Sequence, residues 1–181
     1  MKRVVLVNGV PASGKSSVAR ALAQETGWPL LTLDTVKEAL FAHLGLGDRE
    51  YNRKLGRASY QAMFALIGDF PPDATAIVDA WFGFQPREVL DGHLARAGVA
   101  QVVEVWAHAR PDTIGARYAA RVGNRSAGHL GLEYVPELVD LARRATPLGG
   151  FARVDVDCEE TLASDELAGR VHQSFAETLA G

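Results

Sequence analysis

The chain has 181 residues, a length suited to one domain, and 48% of them are hydrophobic, enough for a single core. Nineteen basic against 22 acidic side chains leave a formal net charge of −3, which offers nucleic acid or an anionic membrane no long-range attraction and argues against both as partners. The lone cysteine, Cys158, excludes an intrachain disulfide and reads as an inert small hydrophobe in a reducing compartment.

Lys2 and Arg3 precede an apolar run that Asn8 and Gly9 cut far short of a signal sequence, and no stretch reaches the length of a membrane span. The expectation is one cytoplasmic domain over 1–181, a monomer or homodimer. Arg3 to Val7 is β-branched and reads as a buried parallel strand. It runs into Gly9-Val10-Pro11-Ala12-Ser13-Gly14-Lys15-Ser16, which matches G-x-x-x-x-G-K-[ST] at each fixed position, and Ser17 to Gln24 then carries good helix formers. Strand, glycine-bearing loop and helix N-terminus together form a cradle of N–H groups and a positive dipole end, for which a polyphosphate is the natural occupant. Gly9, Pro11, Ala12, Ser13, Gly14, Lys15, Ser16 and Ser17 are the candidate contacts. Lys15 is expected at the β- and γ-phosphates and Ser16 on a bridging Mg²⁺.

Gly27 and Pro29 punctuate the chain before a second strand, Leu30 to Leu33, that ends at Asp34, and Thr35 to His43 reads as a helix. In open α/β sheets ligands lie outside the carboxyl ends of the strands, so Asp34 shares an edge with the phosphate loop. It is either a general base, with Lys37 one turn along on the substrate side, or a helix N-cap. Asp48 to Phe70 is helical, with Arg53, Lys54 and Arg57 on its polar side, where they hold an anionic substrate or form a solvated face. The helices of about 35–70 form the substrate side.

A third strand, Thr75 to Val78, delivers Asp79 to the same edge, to hold a Mg²⁺-bound water or contact the acceptor. Trp81, Phe82 and Phe84 either wall an acceptor pocket or close the core. Pro86 to Ala97 reads as a helix that brings Arg87 near the mouth of the site if the loop folds over it. Val99 to Ala107 is the fourth strand, and Pro111 opens a helix with Arg117 and Arg121 four apart on one face. Arg125 continues that row if the helix runs past Gly123, and His129 follows. An arginine row entering a glycine-containing stretch suits a phosphoryl-transfer lid, over about 117–133, that brings cations to the reacting group and excludes water. Tyr134 to Arg144 reads as a helix, Phe151 to Val156 as a fifth strand, and Ser164 to Leu179 as a closing helix. The turn Asp157 to Glu160 is a resting place for the nucleotide base.

With five strands alternating with helices, Gly14-Lys15-Ser16, Asp34, and spaced Arg117, Arg121 and Arg125, the chain resembles the P-loop small-molecule kinases. It is most similar to the branch of chloramphenicol phosphotransferase, gluconate and shikimate kinases, zeta-type toxins and the 5′-kinase domain of polynucleotide kinase. The resemblance implies a three-layer α/β fold with a parallel sheet of order 2-3-1-4-5 and a small helical lid, with ATP and Mg²⁺ as donor. It implies Asp34 as the base activating the acceptor hydroxyl, Arg121 and Arg125 as transition-state cations, and Arg117 on the nucleotide side. The expected activity is transfer of the ATP γ-phosphoryl group to a hydroxyl of a small molecule such as an antibiotic, sugar or nucleoside. The gluconate- and shikimate-specific acceptor residues are not recognisable. A nucleotide-dependent switch is the second reading, against which stand the missing N-K-x-D string and a D-x-x-G match, Asp112 to Gly115, inside a helix. A toxin-like or polynucleotide 5′-hydroxyl kinase is the third, and the acidic balance weakens its strand-binding version.

Overall fold

The structure is a computed structural model that describes residues 1–124 and 128–180, the side chains of 179 and 180 excepted. Five strands, β1 (Arg3–Asn8), β2 (Leu30–Thr32), β3 (Thr75–Ala80), β4 (Gln101–His108) and β5 (Ala152–Asp157), form one sheet of order β2-β3-β1-β4-β5. Every neighbouring pair is parallel, with Val5 opposite Ile77 on one side and Val103 on the other. The expected topology is therefore the observed one. β1 and β3 are buried along almost their whole length, as parallel strands covered on both faces must be, which is why they read as continuous apolar runs.

Among the described residues the α-helices are α1 (Lys15–Thr26), α2 (Leu33–Leu44), α3 (Arg49–Gly68), α4 (Arg87–Arg96), α5 (Pro111–Arg121) and α6 (Val135–Arg144), which lie between strands, and α7 (Ser164–Ala180), which follows β5. Strand pleating divides the core. Val5, Val7, Ile77 and Val103 pack with Leu22 of α1 and Val171 and Phe175 of α7, whereas Val4, Leu6, Val78 and Ala80 pack with Tyr60, Met63, Phe64 and Ile67 of α3 and Leu90 of α4. A third cluster lies where the loop after β1 meets α5 and α6: Val10 and Ala12 against Ile114 and Tyr118 of α5 and Leu138 of α6. The loop is thus packed from below by the sheet and from the side by α5 and α6.

At the opposite end, Lys2 is buried and its ammonium donates to the carbonyls of Gly68, at 2.7 Å, and Ala97, at 3.0 Å. These carbonyls close α3 and α4, so one cation satisfies two helix C-termini and complements both dipoles. Among the described residues, no helix is long and apolar enough to cross a membrane.

Candidate functional site

The phosphate loop is built by close approach. A Cβ on Gly9 would run into the Ala107 carbonyl oxygen, so glycine lets the chain leaving β1 lie against the end of β4. Gly14 sits at φ 111, and a Cβ there would meet the Cβ of Cys158 at 2.8 Å. Ala12 has φ 68, the one non-glycine residue with positive φ among the described residues, and such local strain is held by the surrounding packing. Ser13 is wholly buried; its amide bonds the Val10 carbonyl at 3.1 Å and its Oγ accepts from the Lys15 amide at 3.4 Å. Helix α1 begins at Lys15 with no side-chain cap and no acidic residue in its first turn, so its N-terminus keeps its positive end for an anion. Pro11 and Ser17 lie on either side of this turn, half-buried and exposed respectively.

Asp79 stands at the centre of the strand edge. It belongs to β3 itself and is buried at 4% exposure, and its Oδ1 has no hydrogen-bond partner among the described residues. Burial pushes its carboxyl pKa up, while the Lys15 charge and the Ser16 hydroxyl pull it down and the Asp34 charge raises it further. Lys15 and Ser16 at the head of α1, and Asp34 at the head of α2, are thus near enough to Asp79 to act on its charge. A buried, unsatisfied carboxylate oxygen beside a hydroxyl is a fit donor set for Mg²⁺, which keeps several waters and takes the rest of its ligands from phosphates.

Strand two ends at Thr32, one residue short of its apolar run, and Asp34 lies in the first turn of α2. Thr32 occupies the N-cap position, its hydroxyl on that of Thr35 at 2.5 Å, so Asp34 is not the cap. It is exposed and near enough to Asp79 for its charge to raise the Asp79 carboxyl. Lys37, one turn along, has its ammonium 5.2 Å from the Phe41 ring centroid.

Arg117 spans three elements. From α5 it donates to the Ser13 carbonyl at 3.2 Å and the Cys158 carbonyl at 2.8 Å, clipping the phosphate loop to the turn after β5. That turn is fixed again by Glu159, which accepts from the Arg110 amide at 2.8 Å and the Thr113 hydroxyl at 2.8 Å. Arg110 beside it holds the Glu159 carboxyl down at about 2. Burial pushes the Cys158 thiol up, in keeping with an inert packing residue.

The α-helix stops at Arg121, an exposed terminal residue, because Gly123 falls in a 3₁₀ turn, Val122–Asn124; Arg125 lies outside the described residues. The segment from Gly128 into α6 is docked on α2 and α3. Asn52 donates to the Gly128 carbonyl at 2.8 Å, His129 pairs with Glu38 at 2.8 Å and meets Phe41 edge-on, and Arg49 pairs with Glu137 at 2.6 Å.

Two expected residues stand elsewhere. Arg87 does not reach the mouth of the site. Its guanidinium donates to Asp91 at 2.7 Å and to the Leu148 and Gly149 carbonyls at 3.1 and 2.8 Å, and lies 4.0 Å from the Phe151 ring centroid. These contacts hold it on the face of the sheet. Arg57 lines an outer groove with Gln61, Gln85, Glu88, His93 and Arg96, and no lining residue belongs to the phosphate loop, β2 or α2, because position 57 faces α4. Phe82 closes the core, buried at 2%, whereas Trp81 is half-buried against Trp106 and Phe84 is exposed beside Tyr60.

Sequence reading missed Asn8 and Glu104, both buried and hydrogen-bonded to each other at 2.7 Å beneath the loop. The available signal was an acid in the middle of the β-branched run Gln101–His108.

The profile of a family described as an AAA domain matches residues 4–137. No protein with curated annotation matches. A candidate kinase from Chloroflexus aurantiacus superposes with a TM-score of 0.79 at 25% identity, covering 96% of this chain and 98% of that one. A gluconokinase from Sinorhizobium meliloti gives 0.58 at 21%, covering 99% and 95%. Shikimate kinase from Acinetobacter baumannii, in complex with shikimate, gives 0.57 at 15%, covering 98% and 93%. The chain has a kinase-like P-loop fold.

Proposed function

Since the chain belongs to this AAA domain family and has the fold of P-loop kinases, we propose that it transfers the γ-phosphoryl group of ATP to a hydroxyl of a small molecule. The observation that carries this reading is the buried, unsatisfied oxygen of Asp79 at the end of β3, with Lys15, Ser16 and Asp34 near enough to act on its charge. The small-molecule kinases among the structural neighbours support a small-molecule acceptor.

In this reading the loop amides and the α1 N-terminus hold the phosphates, and Lys15 places its charge on the β- and γ-phosphates. Ser16 and Asp79 hold Mg²⁺, directly or through water, and the ion supplies neutralisation of the phosphate charge. Asp34 accepts the proton of the acceptor hydroxyl, a role worth about 10²–10⁴ in rate. Arg121 and Arg125 are the lid cations for the transferring group, Arg117 fixes the loop and the base-side turn, and Lys37 faces the acceptor.

The test is a screen for transfer of labelled γ-phosphate from ATP to sugars, nucleosides, aminoglycosides, amphenicols and 5′-hydroxyl oligonucleotides, with Lys15→Ala as control. A phosphorylated small molecule formed by the wild type alone supports the proposal. ATP hydrolysis with no acceptor, or transfer confined to oligonucleotides, would replace it with the switch or polynucleotide reading.

A further inference from the structure

Glu104 lies in the middle of β4, 1% exposed, between the fully buried Val103 and Val105. An acidic side chain in such a place is costly unless donors surround it. Both of its described partners are donors: the Asn8 amide at 2.7 Å, and the Leu148 backbone N–H, 3.0 Å from each carboxylate oxygen. Asn8, also 1% exposed, uses its own oxygen to accept from the Phe82 backbone N–H at 3.1 Å.

This chain of bonds joins two loops of the site to a segment outside it. Asn8 is the residue before Gly9 and so the root of the phosphate loop. Phe82 lies three residues beyond Asp79, in the segment that leaves the metal-holding carboxylate. Leu148 lies in the return from α6, the helix that follows the lid, and its carbonyl, with that of Gly149, takes the Arg87 guanidinium. Apolar side chains in place of the whole polar set could fill this space without loss of stability, but with Asn8 and the Leu148 N–H in place an acceptor at 104 is required, and one with two oxygens ties these loop backbones together.

We propose that Glu104, acting through Asn8, is a positioning residue that holds the phosphate loop, the segment after Asp79 and the lid's exit in mutual register for phosphoryl transfer, an inference that rests on the kinase reading above. Neither side chain touches a reactant. Their effect is on the alignment of groups that do, where a displacement of an ångström is enough to slow a reaction.

The test exchanges the two amide and acid partners. In Glu104→Gln, either orientation of the new amide sets an N–H against the Leu148 N–H or the Asn8 amide. In the pair N8D with E104Q, the glutamine N–H donates to the new aspartate, the glutamine oxygen accepts from Leu148, and the aspartate still accepts from Phe82. Acceptor-independent hydrolysis of ATP in Mg²⁺ is measured at a temperature where circular dichroism shows each variant folded. Glu104→Gln is expected to lower kcat about ten- to a hundredfold with KM for ATP little changed, and the double variant to recover most of it. The recovery is read in kcat because the transferred charge lies nearer the phosphates. A folded Glu104→Gln with wild-type kcat, or a folded double variant with severely reduced kcat, overturns the proposal. If Glu104→Gln does not fold, the double variant alone decides it. If the wild type hydrolyses no ATP without an acceptor, the kinase reading rests on the acceptor screen alone, and hydrogen exchange decides the network separately. Wild-type protection of the Phe82 and Leu148 amides in Glu104→Gln would then overturn it, and accelerated exchange confined to those two segments would support it.

Discussion

Replacing Asp79 by asparagine should raise the stability of the ligand-free protein while removing Mg²⁺-dependent turnover. The side chain is 4% exposed and its Oδ1 has no hydrogen-bond partner among the described residues, and leaving a buried acceptor unsatisfied costs about 1–3 kcal/mol, more for a charged one. Lys15 and Ser16 offset part of this, and Lys15, half-buried, loses little when its neighbour becomes neutral. A net gain of about 1 kcal/mol is expected, or about 2–4 °C in Tm for a chain of this size. The pH dependence follows from the raised carboxyl pKa. The folded state holds the Asp79 proton more tightly than the unfolded chain, so wild-type stability from this group is present below the ordinary 3.8 and is lost as pH rises through the folded value. The advantage of Asp79→Asn is therefore full at neutral pH and vanishes in acid. Thermal unfolding from pH 3 to 8, with and without MgATP, measures it, and turnover should fall at least about a hundredfold. A variant less stable than wild type at neutral pH, or one retaining Mg²⁺-dependent turnover, would refute the reasoning.

Asp34→Asn should bind ATP and fold as wild type does, because Asp34 is neither buried nor the α2 cap, yet lose transfer to the acceptor by about 10²–10⁴; unaltered transfer removes it as the base. Arg121→Ala should reduce kcat far more than ATP affinity, since its contact strengthens with transition-state charge, and equal losses in steady-state kinetics and ATP titration would reassign it to binding. Gly14→Ala should destabilise by about 2–5 kcal/mol, summing a left-handed φ of about 1–2 kcal/mol with overpacking against Cys158 of about 1–3 kcal/mol. Cys158→Gly in the same chain should return part of that loss in urea unfolding; no recovery would place the whole cost in the backbone.

The strands were legible because each is an apolar run bounded by glycine, proline or aspartate, and the phosphate loop because it is a local string whose geometry depends on its own residues; the order of the strands was legible only through the family resemblance that those features carry. Asp79 was legible as the strands were, as an acid at the end of an apolar run. Arg87 and Arg57 were misplaced because the direction of a long side chain is decided by long-range partners: Leu148 and Gly149 lie 61 and 62 residues from Arg87. Glu104 and Asn8 were passed over for a related reason. They are 96 residues apart, and each alone is an unremarked polar residue on a strand.

The buried ammonium of Lys2 bears on chemical labelling of the protein. The sequence contains four lysines. Lys2 is enclosed between two helix ends, Lys37 covers the Phe41 ring, and Lys54 pairs with Glu50 at 3.4 Å on the outside of α3. Lys15 alone of the four belongs to the phosphate loop. An acylating reagent built on a nucleotide would therefore find its target amine with few competitors, and the mass of one tryptic peptide would report occupancy of the loop in a crude mixture, without purification and without knowledge of the acceptor.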